Sequence, residues 1–233
     1  MLREICLDTE TTGLDPKDGH KIIEIACVEL INKVKTGKVF HTYINPRREV
    51  PFEAFKVHGI STEFLQDKPI FDLIVDKFLN FIGEDILVIH NANFDMKFLN
   101  FELALLGRKP LNSSRVVDSL MLARKKFPGA QNSLDALCKR YNLDLSKRDK
   151  HGALIDTELL CDVYIELMGG AQAGLGFESS KKVAENKIEK IEFLNFKNDK
   201  KLIPSRNFKI SPEEEQLHRN FIEKNFKTNF WYN

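Results

Sequence analysis

Along the first 168 residues, short stretches in which apolar and polar positions alternate take turns with stretches in which apolar residues recur every three to four positions. Ile5 to Asp8 reads as a short strand, broken by the Thr-Thr-Gly-Leu-Asp-Pro stretch from Thr11 to Pro16. Ile22 to Ile31 reads as a second strand, and Lys35-Thr36-Gly37-Lys38 as a hairpin turn into a third, Val39 to Ile44. After Pro51 the spacing turns helical, with Phe71, Ile74, Val75, Phe78, Leu79 and Ile82 on one face. Ile86 to Ile89 is again strand-like, and Phe94 to Leu106 is a helix closed by Gly107 and Pro110. A short strand at Arg115 to Val117 follows, then helices around Ser119 to Lys126, Ser133 to Tyr141, and Ala153 to Met168. A meander followed by alternating strands and helices predicts an α/β fold, a mixed five-stranded sheet flanked by helices.

The pattern changes at Gly169. The run from Gly169 to Gly176 is rich in glycine and short of charge, as linkers are, and Ser179 to Ser205 is rich in Lys, Glu and Asn without a sustained period. The expected organisation is a folded domain over 1–168, a flexible linker over 169–205 and a C-terminal segment over 206–233. In that last segment Ser211-Pro212-Glu213-Glu214 has the form of a capping box, with Leu217, Phe221 and Ile222 on one face of the short helix it opens. Phe226, Phe230, Trp231 and Tyr232 end the chain.

Composition adds limits. The net charge is only +1, so no global basic field attracts nucleic acid, and any such binding must rely on local groups or bound cations. Cys6, Cys27, Cys138 and Cys161 are widely spaced with no CxxC pair, which reads as free thiols in a reducing compartment. The N-terminal stretch lacks a signal-peptide core and no segment reaches the roughly 18 apolar residues of a membrane span, so a cytoplasmic location is expected.

Candidate chemistry gathers at element ends. In Asp8-Thr9-Glu10-Thr11-Thr12-Gly13, residues i and i+2 of a strand point to one side, so Asp8 and Glu10 hold two carboxylates together. Such like charges repel unless a cation intervenes, and oxygen ligands favour a hard ion such as Mg²⁺ or Mn²⁺. His90-Asn91-Ala92-Asn93-Phe94-Asp95 runs from a strand through a polar turn into a helix, where α/β proteins place ligand sites. Asp95 in the first turn of that helix also suits simple capping. In His151-Gly152-Ala153-Leu154-Ile155-Asp156, two helical residues five apart would point about 140° away from each other. Joint action therefore requires His151 in the loop freed by Gly152, and Asp156 in the first helical turns. A histidine there suits proton transfer near neutral pH.

Taken together, Asp8-x-Glu10, Asp95 and His151-x₄-Asp156 resemble the three motifs of the DEDD-h exonuclease superfamily, whose fold is RNase H-like, over roughly residues 1 to 170. The resemblance implies metal-dependent 3′→5′ removal of nucleotides from a DNA strand end, releasing nucleoside 5′-monophosphates. It implies Asp8, Glu10, Asp95 and Asp156 as ligands of two divalent metal ions, Mg²⁺ or Mn²⁺, and His151 as general base. Within the superfamily, the stretch from Pro51 to Ile60 is similar to a segment of the proofreading subunits of bacterial replicative polymerases. That similarity assigns Glu53 and His58 to the terminal nucleotide, alongside Asp8, Thr9, Glu10 and Asp156.

It also implies partners. Gln172, Leu175 and Phe177 fit Gln-x-x-Leu-x-Phe, a pattern resembling peptides that dock on bacterial sliding clamps. The C-terminal segment with its aromatic cluster is expected to bind the polymerase catalytic (alpha) subunit, and a small accessory subunit stands as a further candidate partner. Two rival readings remain open at this point: a free-standing DEDD-h exonuclease acting on RNA or single-stranded DNA, and a catalytically lapsed adaptor joining polymerase to clamp.

Overall fold

The computed structural model describes residues 2–146, 151–170 and 210–225. The chain divides into two units, 1–178 and 179–233. In the first unit five strands, β1 (Arg3–Thr11), β2 (Ile22–Ile31), β3 (Val34–Tyr43), β4 (Ile86–Ile89) and β5 (Val116–Asp118), form one sheet in the order β3-β2-β1-β4-β5. The first three strands are a meander, antiparallel throughout, whereas β4 and β5 run parallel to β1. Helices α1 (Phe52–His58), α2 (Thr62–Leu65), α3 (Phe71–Ile82), α4 (Ala92–Leu105), α5 (Ser119–Lys126), α6 (Leu134–Arg140) and α7 (Ala153–Leu167) complete the unit.

The sheet is covered on both faces, and the alternation along β1 shows how. Ile5 and Leu7 join Phe71, Ile74, Val75 and Phe78 of α3 and Met96, Phe98 and Leu99 of α4 in the larger core cluster. Cys6, one residue out of phase, joins Leu160, Cys161 and Tyr164 of α7. Burying side chains of this size stabilises by roughly 1.5–3 kcal/mol each, so the register of β1 is strongly fixed. The same parity carries past the core: Thr9 is directed towards α4, and Asp8 and Glu10 towards α7. All four cysteines are buried and unpaired, as small apolar side chains would be.

The turn between β2 and β3 lies elsewhere than the glycine suggested. Asn32 (φ 51°) and Lys33 (φ 65°) form the connection, both in the left-handed region of a two-residue hairpin. Asn accepts that conformation readily, and Lys33 is held there by Tyr164, whose hydroxyl lies 2.6 Å from its Nζ, and by the Glu4 carboxylate at 2.7 Å. Gly37, which the sequence placed in the turn, sits inside β3 at φ 82°, where the β2–β3 register slips between Val28 and Leu30. Its freedom serves a bulge rather than a turn. Helix α4 likewise begins at Ala92, two residues before the expected Phe94, because Asn91 takes the left-handed conformation (φ 66°) that ends the strand.

In the second unit, α8 spans Pro212–Asn225. Its capping box is formed: Ser211 Oγ accepts from the Glu214 backbone N–H at 3.2 Å, and Glu214 Oε2 accepts from the Ser211 N–H at 3.1 Å. Leu217 and Phe221 are exposed on it. Gln172, Leu175 and Phe177, and the aromatic residues from Phe226 to Tyr232, lie outside the described residues. Among the described residues, no helix is long and apolar enough to cross a membrane.

Candidate active site

Parallel strands β1 and β4 end on the same side of the sheet, and the charged residues gather at the end of β1 and at the starts of α4 and α7. This is where the direction of the connections changes, and α/β folds open a crevice at such points. β1 supplies Asp8 and Glu10, the start of α4 supplies Asp95, and the start of α7 supplies Asp156, with His151 in the loop just before it.

The carboxylates and the imidazole converge. Ligand-capable atoms of Glu10, His151 and Asp156 all lie within 4.8 Å of one another. His151 Nδ1 is 3.0 Å from Asp156 Oδ2, and the His151 backbone N–H donates to the Val57 carbonyl at 3.3 Å, which ties the loop to α1. Asp8 joins Asp156 and His151 along the wall of one hollow of about 500 Å³. Asp95 is buried on the other side of β1, where its Oδ1 accepts both the Thr9 backbone N–H (3.0 Å) and the Thr9 hydroxyl (2.7 Å). It does not cap its own helix. That work falls to Asp118 at the end of β5, whose carboxylate accepts from the Asn91 and Ala92 N–H groups of α4 and from Leu120 and Met121 of α5.

Burial and the crowding of negative charge both act on these carboxyls. Burial, followed by the charges of Asp95, Glu10, Asp156 and Glu24, holds the Asp8 carboxyl well above its ordinary range. Burial also pushes Asp95 up to about 7, against the opposing pull of its bonds from Thr9. Such a set is relieved by a cation, and its all-oxygen core with one adjoining imidazole matches the donor chemistry of a hard divalent ion. His90 is pushed below its usual value, chiefly by burial, and its Nδ1 lies 2.9 Å from Ser119 Oγ.

A second hollow, about 640 Å³, opens on the opposite side of Glu10. The turn after β1 (Thr11, Thr12, Gly13, Leu14) forms one wall, and Glu53, Ala54, Val57 and His58 of α1 form the facing one. At Gly13 a Cβ would stand 2.3 Å from the His20 ring, so any larger residue at this turn would displace that side chain. His58 is buried with Nδ1 accepting from the Ile60 N–H at 3.0 Å, while Glu53 is exposed and paired with Lys56 at 3.1 Å. Thr9 lines neither hollow; its hydroxyl and N–H are both committed to Asp95.

Two acids at the site were not singled out from sequence. Glu24, inside the apolar run of β2, is 2% exposed; its Oε1 lies 2.7 Å from His41 Nε2, and its Oε2 accepts the Ala153 N–H at the start of α7 at 3.1 Å. An acid interrupting a strand buried on both faces was the available signal. Asp118 carried the weaker signal of a single acid between a strand and a helix.

Fold and site together define a metal-dependent 3′→5′ exonuclease, and a family model described as Exonuclease matches residues 5–164. The DNA polymerase III subunit epsilon of Rickettsia conorii is 50% identical over 230 residues, spanning 97% of this chain and 98% of that protein. The chain belongs to the DNA polymerase III epsilon subunits. Among solved structures, Exonuclease X in complex with 5′-overhanging duplex DNA is 28% identical with a TM-score of 0.55, covering 72% of this chain and 91% of that one. The nuclease domain of 3′hExo, a DEDDh family member bound to rAMP, shares the fold at a TM-score of 0.62 and 19% identity, over 71% and 91% of the two chains.

Proposed function

We propose that this chain removes mispaired nucleotides from the 3′ end of a growing DNA strand, as the proofreading subunit of a replicative polymerase, in the cytoplasm at the nucleoid. The observation that carries the reading is the convergence of Glu10, His151 and Asp156 within 4.8 Å, with Asp8 and Asp95 alongside.

In this reading the scissile phosphate lies against Asp8, Glu10 and Asp156. These three, supported by Asp95, hold two divalent ions, Mg²⁺ or Mn²⁺, which when bound supply the positive charge that stabilises the phosphate and the departing 3′ oxygen. Asp95 fixes the end of β1 through Thr9, and so sets the spacing of Asp8 and Glu10. An Nδ1–H donated to the Asp156 carboxylate would leave the imidazole lone pair on Nε2, the nitrogen that would take the proton from the attacking water. The side chain is about half exposed (48%), which lets water reach it. The terminal nucleoside occupies the hollow between Thr12, Leu14, Glu53 and His58, where Glu53 accepts from the 3′ hydroxyl and the apolar wall meets the base.

The catalytic unit ends near residue 168. Residues 172–177 dock on the sliding clamp through Gln172, Leu175 and Phe177, and the segment 206–233 binds the polymerase alpha subunit. A small accessory subunit completes the set of partners.

The test is digestion of a 3′-mispaired primer with Mg²⁺, against matched single-stranded DNA and RNA. Stepwise release of deoxynucleoside 5′-monophosphates from the mispaired end is expected. Inertness on DNA with active cleavage of RNA would overturn the assignment. For the tail, Phe177→Ala should abolish retention on immobilised clamp, and unchanged retention would remove 172–177 from the interface.

A further inference from the structure

The two hollows flanking the carboxylates differ in a way that assigns direction to the bound strand. Among the described residues, the one beyond Glu10 has no Lys or Arg in its lining. Among the described residues, the one beyond Asp8 has one Lys or Arg, Arg124 of α5, set among Asp8, Asp156, His151, His90 and Asn132. Arg124 is exposed, and among the described residues it makes no ion pair or hydrogen bond, although carboxylates share its hollow. Its neighbour Lys126 is used structurally, donating to the carbonyls of Glu166 and Leu167. The loop facing Arg124 is stiffened from within, since Asn132 Nδ2 donates to the carbonyls of Phe127 and Ala130.

Resting on the nuclease reading above, we propose that Arg124 binds a backbone phosphate of the retained strand, on the 5′ side of the scissile bond. The terminal nucleoside fills the hollow beyond Glu10 and its phosphate meets the carboxylates. The chain of the strand must then continue past Asp8, and the next phosphates pass through the second hollow. Among the described residues, the Arg124 guanidinium, with no ion pair or hydrogen bond there, is the group in that hollow that matches a phosphate. Arg124 is thus a strand-positioning residue that acts on polymers and has nothing to contact in a mononucleotide ester.

The test compares two substrates with the full-length chain and Mn²⁺: a single-stranded oligodeoxynucleotide, and the p-nitrophenyl ester of thymidine 5′-monophosphate, which has no strand beyond the bond to be cleaved. For Arg124→Ala, the ratio of kcat/KM for the oligonucleotide to that for the ester is expected to fall about tenfold, the effect of losing one phosphate contact. Log(kcat/KM) for the oligonucleotide should also depend less steeply on log[salt], by about 0.7 for a single strand. Arg124→Lys, which keeps the charge, should restore most of the slope. An equal loss on both substrates, or an unchanged salt slope, overturns the proposal. A wild-type chain inert towards both substrates would instead sink the nuclease reading itself.

Discussion

Replacing Asp95 by Asn tests whether the site is built under electrostatic strain that a cation relieves. The carboxyl is held at about 7 in the folded protein, against an ordinary 3.8, mainly because it is buried. An acid with a raised folded value contributes its stability below pH 3.8, where both states are protonated, and loses it as pH climbs towards 7. In the metal-free protein, the difference between pH 5 and pH 8 works out at roughly 2–3 kcal/mol lost on the alkaline side. Asn cannot ionise, but its amide oxygen still accepts from the Thr9 N–H and hydroxyl that Asp95 Oδ1 now serves. Urea unfolding in EDTA, at both pH values and for both proteins, reads Asp95 together with its effect on Asp8, whose carboxyl the Asp95 charge helps to raise. Wild type should lose roughly 2–3 kcal/mol more than the variant over that interval, and Mg²⁺ at pH 8 should return more stability to wild type than to the variant. Equal losses in the two proteins would show that Asp95 ionises normally, and the argument for a strained acidic cage would fail.

Other substitutions separate chemistry from scaffold. Asp8→Ala should abolish turnover while leaving the thermal transition unchanged or higher, since a carboxyl crowded by Asp95, Glu10 and Asp156 is removed; full activity would place the metal site elsewhere. His151→Ala should slow hydrolysis about 10²–10⁴-fold and erase the acid limb of the rate–pH profile, and an unaltered limb would remove His151 as the base. Glu24→Ala should leave the Ala153 N–H without its acceptor, cost about 1–3 kcal/mol in urea unfolding and lower kcat more than it changes KM. Glu24→Gln keeps an acceptor and should lose less; a change confined to KM would mean that Glu24 does not position α7.

The fold was largely legible because its periods are unmixed. Phe71, Ile74, Val75, Phe78 and Ile82 do form the buried face of α3, and Ile86–Ile89 is a central strand. Boundaries were less legible where a residue's conformational freedom could serve either of two purposes. Gly37 and Asn32 both permit a left-handed backbone, and only pairing with β2 decides which makes the turn and which the bulge.

At the site, the sequence determined by local geometry that Asp8 and Glu10 share a side of β1, since strand parity needs no tertiary information. It also carried the condition under which His151 and Asp156 meet, with one in the loop and the other in the first turn of α7. Tertiary structure alone decided that Asp95 anchors Thr9 instead of capping its helix, that Asp118 caps two helices, and that Glu24 reaches the start of α7 from β2. Each of these bonds joins residues at least 26 positions apart, apart from those Asp118 makes to its own helix. No period or spacing encodes such pairings, because the partner is chosen by how the layers pack and by which buried polar group would otherwise go unsatisfied.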